Sequence, residues 1–186
     1  MDYEKLFARL NEKLKEKGLN LVIICVGGFL MQYYNLKATE DVDAFYEDSE
    51  EIEKLIHEVG EEFGVNLENE SWLNNNVVNN ADNKKPPLSI CKPIYNYSNL
   101  EVLAPPLEYV LGLKLIANRD KDQADIGKII NFLHEKDAFK LLDKLHNMSL
   151  DVDSSALLAG FGEAYGDDWL EEYFINNADK IRKYFR

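Results

Sequence analysis

The chain predicts an α+β fold, mixed α/β in its first half and all-α in its second. Three observations carry that prediction. Short apolar, β-rich runs at 20–26, 39–46 and 100–104 alternate with segments of helical periodicity. Pro105-Pro106 follows the last of these runs, and proline favours the first turn of a helix. Beyond that point every periodic segment has helical spacing.

Taken in order, residues 3 to 17 carry Leu6, Phe7, Leu10 and Leu14 on one helical face, and Gly18 is placed as a C-cap. Asn20 to Val26 reads as a buried strand. Gly27-Gly28 then opens a short helix, Phe29 to Tyr34. Thr39 to Tyr46 reads as a second strand. Asp48 or Ser49 can cap a helix with Ile52, Leu55, Ile56, Val59 and Phe63 on one face, ended by Gly64. Residues 66–87 are asparagine-rich and end in Pro-Pro, so they predict a long loop. Trp72 within it either pins the loop to the core or stacks on a ligand, and pinning is the default. Leu88 to Leu103 holds one or two strands, the clearest at Leu100 to Ala104. A helix runs from Pro105-Pro106 to Asn118. Others are expected near 122–135, 137–147, 152–164 and 167–185. There is no internal repeat and no low-complexity linker. The expected division is therefore an α/β core over 1–104 and a helical part over 105–186 packed on it.

Lys and Arg number 21 against 34 Asp and Glu, a net charge of −13. That balance disfavours broad binding to a phosphate backbone. The basic hints are short: Lys84-Lys85, and Arg182, Lys183 and Arg186. Cys25 lies inside an apolar run and reads as a small core residue, and Cys91 has no partner at metal-binding spacing. Nothing calls for a disulfide, so a reducing cytoplasm is expected. The charged N-terminus is unlike a signal peptide, and no apolar run approaches the ~20 residues of a membrane helix.

Four features can carry chemistry. In an extended strand Thr39, Asp41 and Asp43 share one face, with Val42 and Ala44 on the other. Alternate residues stand about 6.6 Å apart. Carboxylates so placed repel unless water screens them or a cation sits between them, and Mg²⁺ takes such hard oxygen ligands. The same spacing also suits a solvated face of an acidic protein. Gly27-Gly28 leaves backbone N–H groups at a helix start where a phosphate can approach, or it is simply a tight turn. Lys114 sits in a helix that is apolar nearly all round. A lone buried ammonium is costly, so it either snorkels to the surface or pairs with an acid or a phosphate. Asp122 and Asp125 lie three apart on one helical face. They can act as base, ligand or ion-pair partner of Lys114 or Arg119, and Asp120 or Asp122 can cap the helix.

"GG" followed by "TEDVDAF" resembles the Gly-Gly/Ser and Asp-x-Asp signature of the nucleotidyltransferase superfamily, whose fold is polymerase-β-like. "EVLAPPLEYVLGLKLIANRDKDQADI" resembles a later block of its prokaryotic branch that includes the AbiEii-type abortive-infection toxins. The "SWLNN" loop is similar to small bacterial members of that branch. The resemblance covers residues 20 to 130. It implies a nucleotidyltransferase-like mixed β-sheet flanked by helices, with an all-α C-terminal part. It also implies transfer of a nucleoside monophosphate from an NTP such as ATP, with Mg²⁺ or Mn²⁺ as cofactor.

Carried over to this chain, the resemblance makes Asp41, Asp43 and Glu101 metal ligands, Glu101 by its place on the later strand. The catalytic set is Asp41, Asp43, Lys114 and Asp122. The nucleotide is held by Gly27, Gly28, Thr39, Lys114, Arg119 and Asp125. Phe29 departs from the pattern, standing where many active members have Ser or Thr. The acceptor is open between tRNA, a protein hydroxyl and a small molecule, with the charge leaning away from tRNA. A toxin role, with an antitoxin as partner, is the cellular setting the resemblance implies. The alternative is a catalytically inactive module of the same fold that binds nucleotide or protein. A hydrolase using the same carboxylates is the third option, and the scattered His57, His134 and His146 disfavour it.

Overall fold

A computed structural model of the chain describes residues 1–68, 70–79 and 84–184. Part of the expected loop, residues 69 and 80–83, lies outside the described residues, as do position 185 of the expected last helix and Arg186. The chain divides into two compact units, Met1–Pro106 and Leu107–Arg186.

The first unit is built on a mixed sheet of five strands, in the order β3-β2-β1-β5-β4. In chain order its elements are α1 (Tyr3–Lys17), β1 (Leu21–Cys25), α2 (Gly27–Tyr33), β2 (Val42–Phe45), α3 (Glu50–Phe63), β3 (Leu73–Asn74), β4 (Lys92–Asn96) and β5 (Leu100–Ala104). β1 runs parallel to β5 and antiparallel to β2. The caps are those the sequence suggests: the Ser49 side chain accepts from Ile52 N–H, and Gly18 and Gly64 close α1 and α3 in left-handed geometry. One sheet face is the core face. Ile23, Cys25, Val42, Ala44 and Val102 are fully buried on it. α1 packs on α3 and against β5, and Phe7 joins the layers through edge or tilted contacts with Phe29, Trp72 and Tyr95. Trp72 is a core residue rather than a ligand platform. It is fully buried, and its indole N–H donates to Ile56 O at 3.0 Å.

Two boundaries differ from expectation for local reasons. The second strand starts at Val42, not Thr39, because the Thr39 N–H and hydroxyl are taken by Gln32 Oε1 and Asp41 Oδ1, at 2.8 Å each. Side-chain bonds of this kind give the backbone an alternative to the ladder. Within the expected loop, Leu73–Asn74 pairs with Val42 and Asp43 as a short parallel strand.

The second unit is helical: α4 (Leu107–Ala117), α5 (Gln123–Leu133), α6 (Ala138–Asn147), α7 (Ser154–Tyr165), α8 (Asp167–Asn176) and α9 (Ala178–Tyr184). The expected helix over 167–185 is broken at Asn177, whose side-chain amide donates to Tyr173 O at 2.9 Å and competes for that helical carbonyl. No helix among the described residues is long and apolar enough to cross a membrane.

Candidate functional site

The carboxylates of the first unit sit at the head of β2, where the turn after β1 reaches them. Gly27 begins α2 with φ +62°, a conformation that L side chains rarely adopt. The turn is also pressed onto the acidic segment. A methyl group at Gly27 would stand 2.8 Å from Asp43 Oδ2, and one at Gly28 would stand 2.7 Å from Thr39 Oγ1. The Val26 N–H donates to Asp43 O at 2.9 Å, so strand pairing fixes this approach. Asp41 and Asp43 are half-buried, while Val42 and Ala44 fill the core between them. The Tyr3 hydroxyl donates to Thr39 O at 3.0 Å and anchors the bend. Its phenol is pushed up to about 12, first by burial and then by the charges of Asp41 and Glu40.

The strand register sets which acids join this pair. Asp43 lies level with Val26, one step beyond the Cys25–Ala44 pair, whereas Glu101 is level with Val22. Four residues along a strand is about 13 Å. Glu101 shares the sheet face of Asp43 but is not brought to it, because the register sets it toward the other end of β1. Among the described residues no three His, Cys, Asp or Glu side chains group closely enough to hold a metal ion. Two carboxylates with water and phosphate oxygens suit Mg²⁺, which keeps much of its hydration. The carboxylate oxygens at 41 and 43 are of the donor type such an ion takes. Phe29, where the pattern has a hydroxyl, faces the core, 5.0 Å from the Tyr3 ring centre. His57, His134 and His146 are all exposed.

The second unit gathers the other predicted residues. Lys114 is 8% exposed, and Asp122 and Asp125 are 3% each. The Lys114 ammonium donates to Asp122 Oδ1 at 2.6 Å and to Asp125 Oδ2 at 2.9 Å. Arg119 Nε donates to Asp122 Oδ2 at 2.6 Å. Asp122 holds the N-cap position of α5 without capping it through its side chain, since its oxygens face the two cations. Burial pushes the Asp122 carboxyl up, but the bonds from Arg119 and Lys114 outweigh it and hold the group below its usual range. Two cations and two anions so arranged fasten α4 to the start of α5.

Residues 2–155, more than half of the chain, match a family described as a nucleotidyltransferase of unknown function (DUF6036). The chain belongs to this nucleotidyltransferase family. The match spans the sheet unit and the helices through α6, ending just inside α7. Comparison with curated proteins and with solved structures gives no match.

Two residues of this candidate site carry no signal in the sequence. Tyr3 reaches Thr39 across 36 positions, and Gln32 holds the Thr39 N–H from α2. The turn itself is open to test. Gly27→Ala is expected to cost about 1–3 kcal/mol in urea unfolding, from the positive φ and the contact with Asp43. Gly18→Ala is the control, because Gly18 has φ +67° with nothing within 4 Å. Equal losses in the two variants would show that Asp43 does not press on the turn.

Proposed function

We propose that this protein transfers a nucleoside monophosphate from an NTP, ATP first among them, to an acceptor hydroxyl. The acceptor oxygen attacks the α-phosphorus and loses its proton to water, the bond between the α-phosphorus and the oxygen bridging to the β-phosphate breaks, and pyrophosphate leaves. Mg²⁺ or Mn²⁺, when bound, stabilises the charge on the attacking and leaving oxygens. Asp41 and Asp43 would hold that ion, and Gly27 and Gly28 would let the triphosphate approach the backbone. Thr39 fixes one oxygen of Asp41, and Tyr3 and Gln32 hold Thr39 in place. The observation that carries this reading is the glycine turn packed onto Thr39 and Asp43, in a chain of a nucleotidyltransferase family.

The resemblance to abortive-infection toxins supports a cellular role as the toxin of a toxin–antitoxin or phage-defence pair, working in the cytoplasm against a cognate antitoxin. Incubation with labelled NTPs and Mg²⁺, alone and with tRNA, tests the chemistry. Label on tRNA, on the protein itself or on an added small molecule identifies the acceptor class. The remoteness of Glu101 favours a second reading, a non-catalytic nucleotide-binding module. Magnesium-dependent NTP binding by calorimetry with no transfer to any acceptor would select it, and neither binding nor transfer would exclude both.

A further inference from the structure

A groove of 340 Å³ lies on the sheet of the first unit. Val22, Ile24 and Phe45 are the part of its lining that lies on one sheet face, here its floor, and Leu21 and Ile52 line it as well. Ile24 pairs directly with Phe45, and Val22 and Phe45 are each an alternate step from Ile24 or Asp43, so the floor belongs to the sheet face that carries Asp43. Phe45 is about 6.6 Å along β2 from Asp43, and Val22 is a further alternate step away on β1. Val22 is 46% exposed and Leu88, on the groove wall, is 61% exposed. The rim is polar: an amide at Asn20, a carboxylate at Glu47 and an ammonium at Lys85.

We propose that this groove receives the base and ribose of the NTP, an inference that rests on the transfer reaction proposed above. A nucleobase has two apolar faces and a polar edge. A lining of apolar side chains joined by an amide, a carboxylate and an ammonium matches that distribution, and the volume falls within the range of small-ligand sites. The position fits as well. A nucleotide whose phosphates lie at Asp43 and the glycine turn must place its base about one ribose away, and the floor begins one alternate step along the same strand. Val22 and Leu88 then leave solvent when nucleotide binds, while Glu47 and Asn20 face the amino and ring nitrogens of the base.

The test compares two ligands, magnesium with a non-hydrolysable ATP analogue and magnesium with inorganic tripolyphosphate, by calorimetry on the full chain. Val22→Glu and Leu88→Glu alter exposed positions, and their melting curves check that the fold is kept. The expected result is an affinity for the ATP analogue lowered about tenfold, with tripolyphosphate affinity unchanged within about twofold. Equal weakening of both ligands, or weakening of neither, overturns the proposal. So does reduced transfer with unchanged nucleotide affinity, which assigns the groove to the acceptor. If the unaltered protein binds neither ligand, the transfer reaction falls first and the groove assignment with it. If it binds both and the variants bind both equally well, the groove assignment falls alone.

Discussion

Asp43→Asn should lower nucleotide transfer by about a thousandfold, a loss of about 4 kcal/mol of transition-state stabilisation. The substitution keeps the size of the side chain, which matters because the turn packs closely here: a methyl group at Gly27 would stand 2.8 Å from Asp43 Oδ2. What it removes is charge. A melting curve measured beside the assay separates loss of chemistry from loss of fold: activity is expected to fall by far more than any change in stability accounts for. Thr39→Val supplies the graded comparison. Its hydroxyl donates to Asp41 Oδ1 at 2.8 Å and would act through that carboxylate, so a loss of about tenfold is expected. Single-turnover assays with saturating magnesium measure both variants. Full activity in Asp43→Asn would remove the carboxylates from the reaction.

Much of this arrangement was legible because single residues have few physical options. Val42 and Ala44, alternating with acids, had to turn inward, and they are fully buried. Lys114 in an apolar helix could either snorkel or pair, and it pairs with Asp122 and Asp125, the acids three apart that the sequence offered. What escaped the sequence was set by contacts at long range. Order along the chain places Glu101 on the strand beside β1, but only the register tells that it pairs with Val22 rather than with the end of the strand near Asp43. The start of β2 depends on Gln32 and Asp41 capturing Thr39, and a pattern of alternation cannot show side-chain bonds of that kind. Phe29 has the same lesson in reverse. Its place in the motif suggested a site position, whereas the aromatic cluster around Phe7 draws it into the core. Local preference fixed the elements, and cross-strand pairing and side-chain bonds fixed which ends of them meet.

Lys114→Met should destabilise the protein by about 3–5 kcal/mol at neutral pH, because it removes the ammonium that bonds both buried carboxylates. The methionine fills much of the space of the lysine stem, so the loss is electrostatic and should depend on pH. In the unaltered protein Asp122 titrates below its unfolded value. Its contribution is therefore present above about pH 4 and is lost as pH falls through the folded value. In the variant the same carboxylates lack their ammonium and are driven toward the neutral form, so acid relieves them. The gap between variant and unaltered protein should narrow as pH drops through the carboxylate range, measured by urea unfolding at a series of pH values. Adding Asp122→Asn and Asp125→Asn should restore most of the loss, since the charge then left in the cluster is that of Arg119, whose side chain is 52% exposed and stays hydrated, and the three substitutions act on one network. A loss under about 1 kcal/mol in Lys114→Met would mean that these groups are solvated rather than paired. The triple variant also separates support from chemistry. Restored stability with normal transfer makes the cluster a brace between α4 and α5. Restored stability with lost transfer makes Lys114, Asp122 and Asp125 participants in the reaction, as the family resemblance implies.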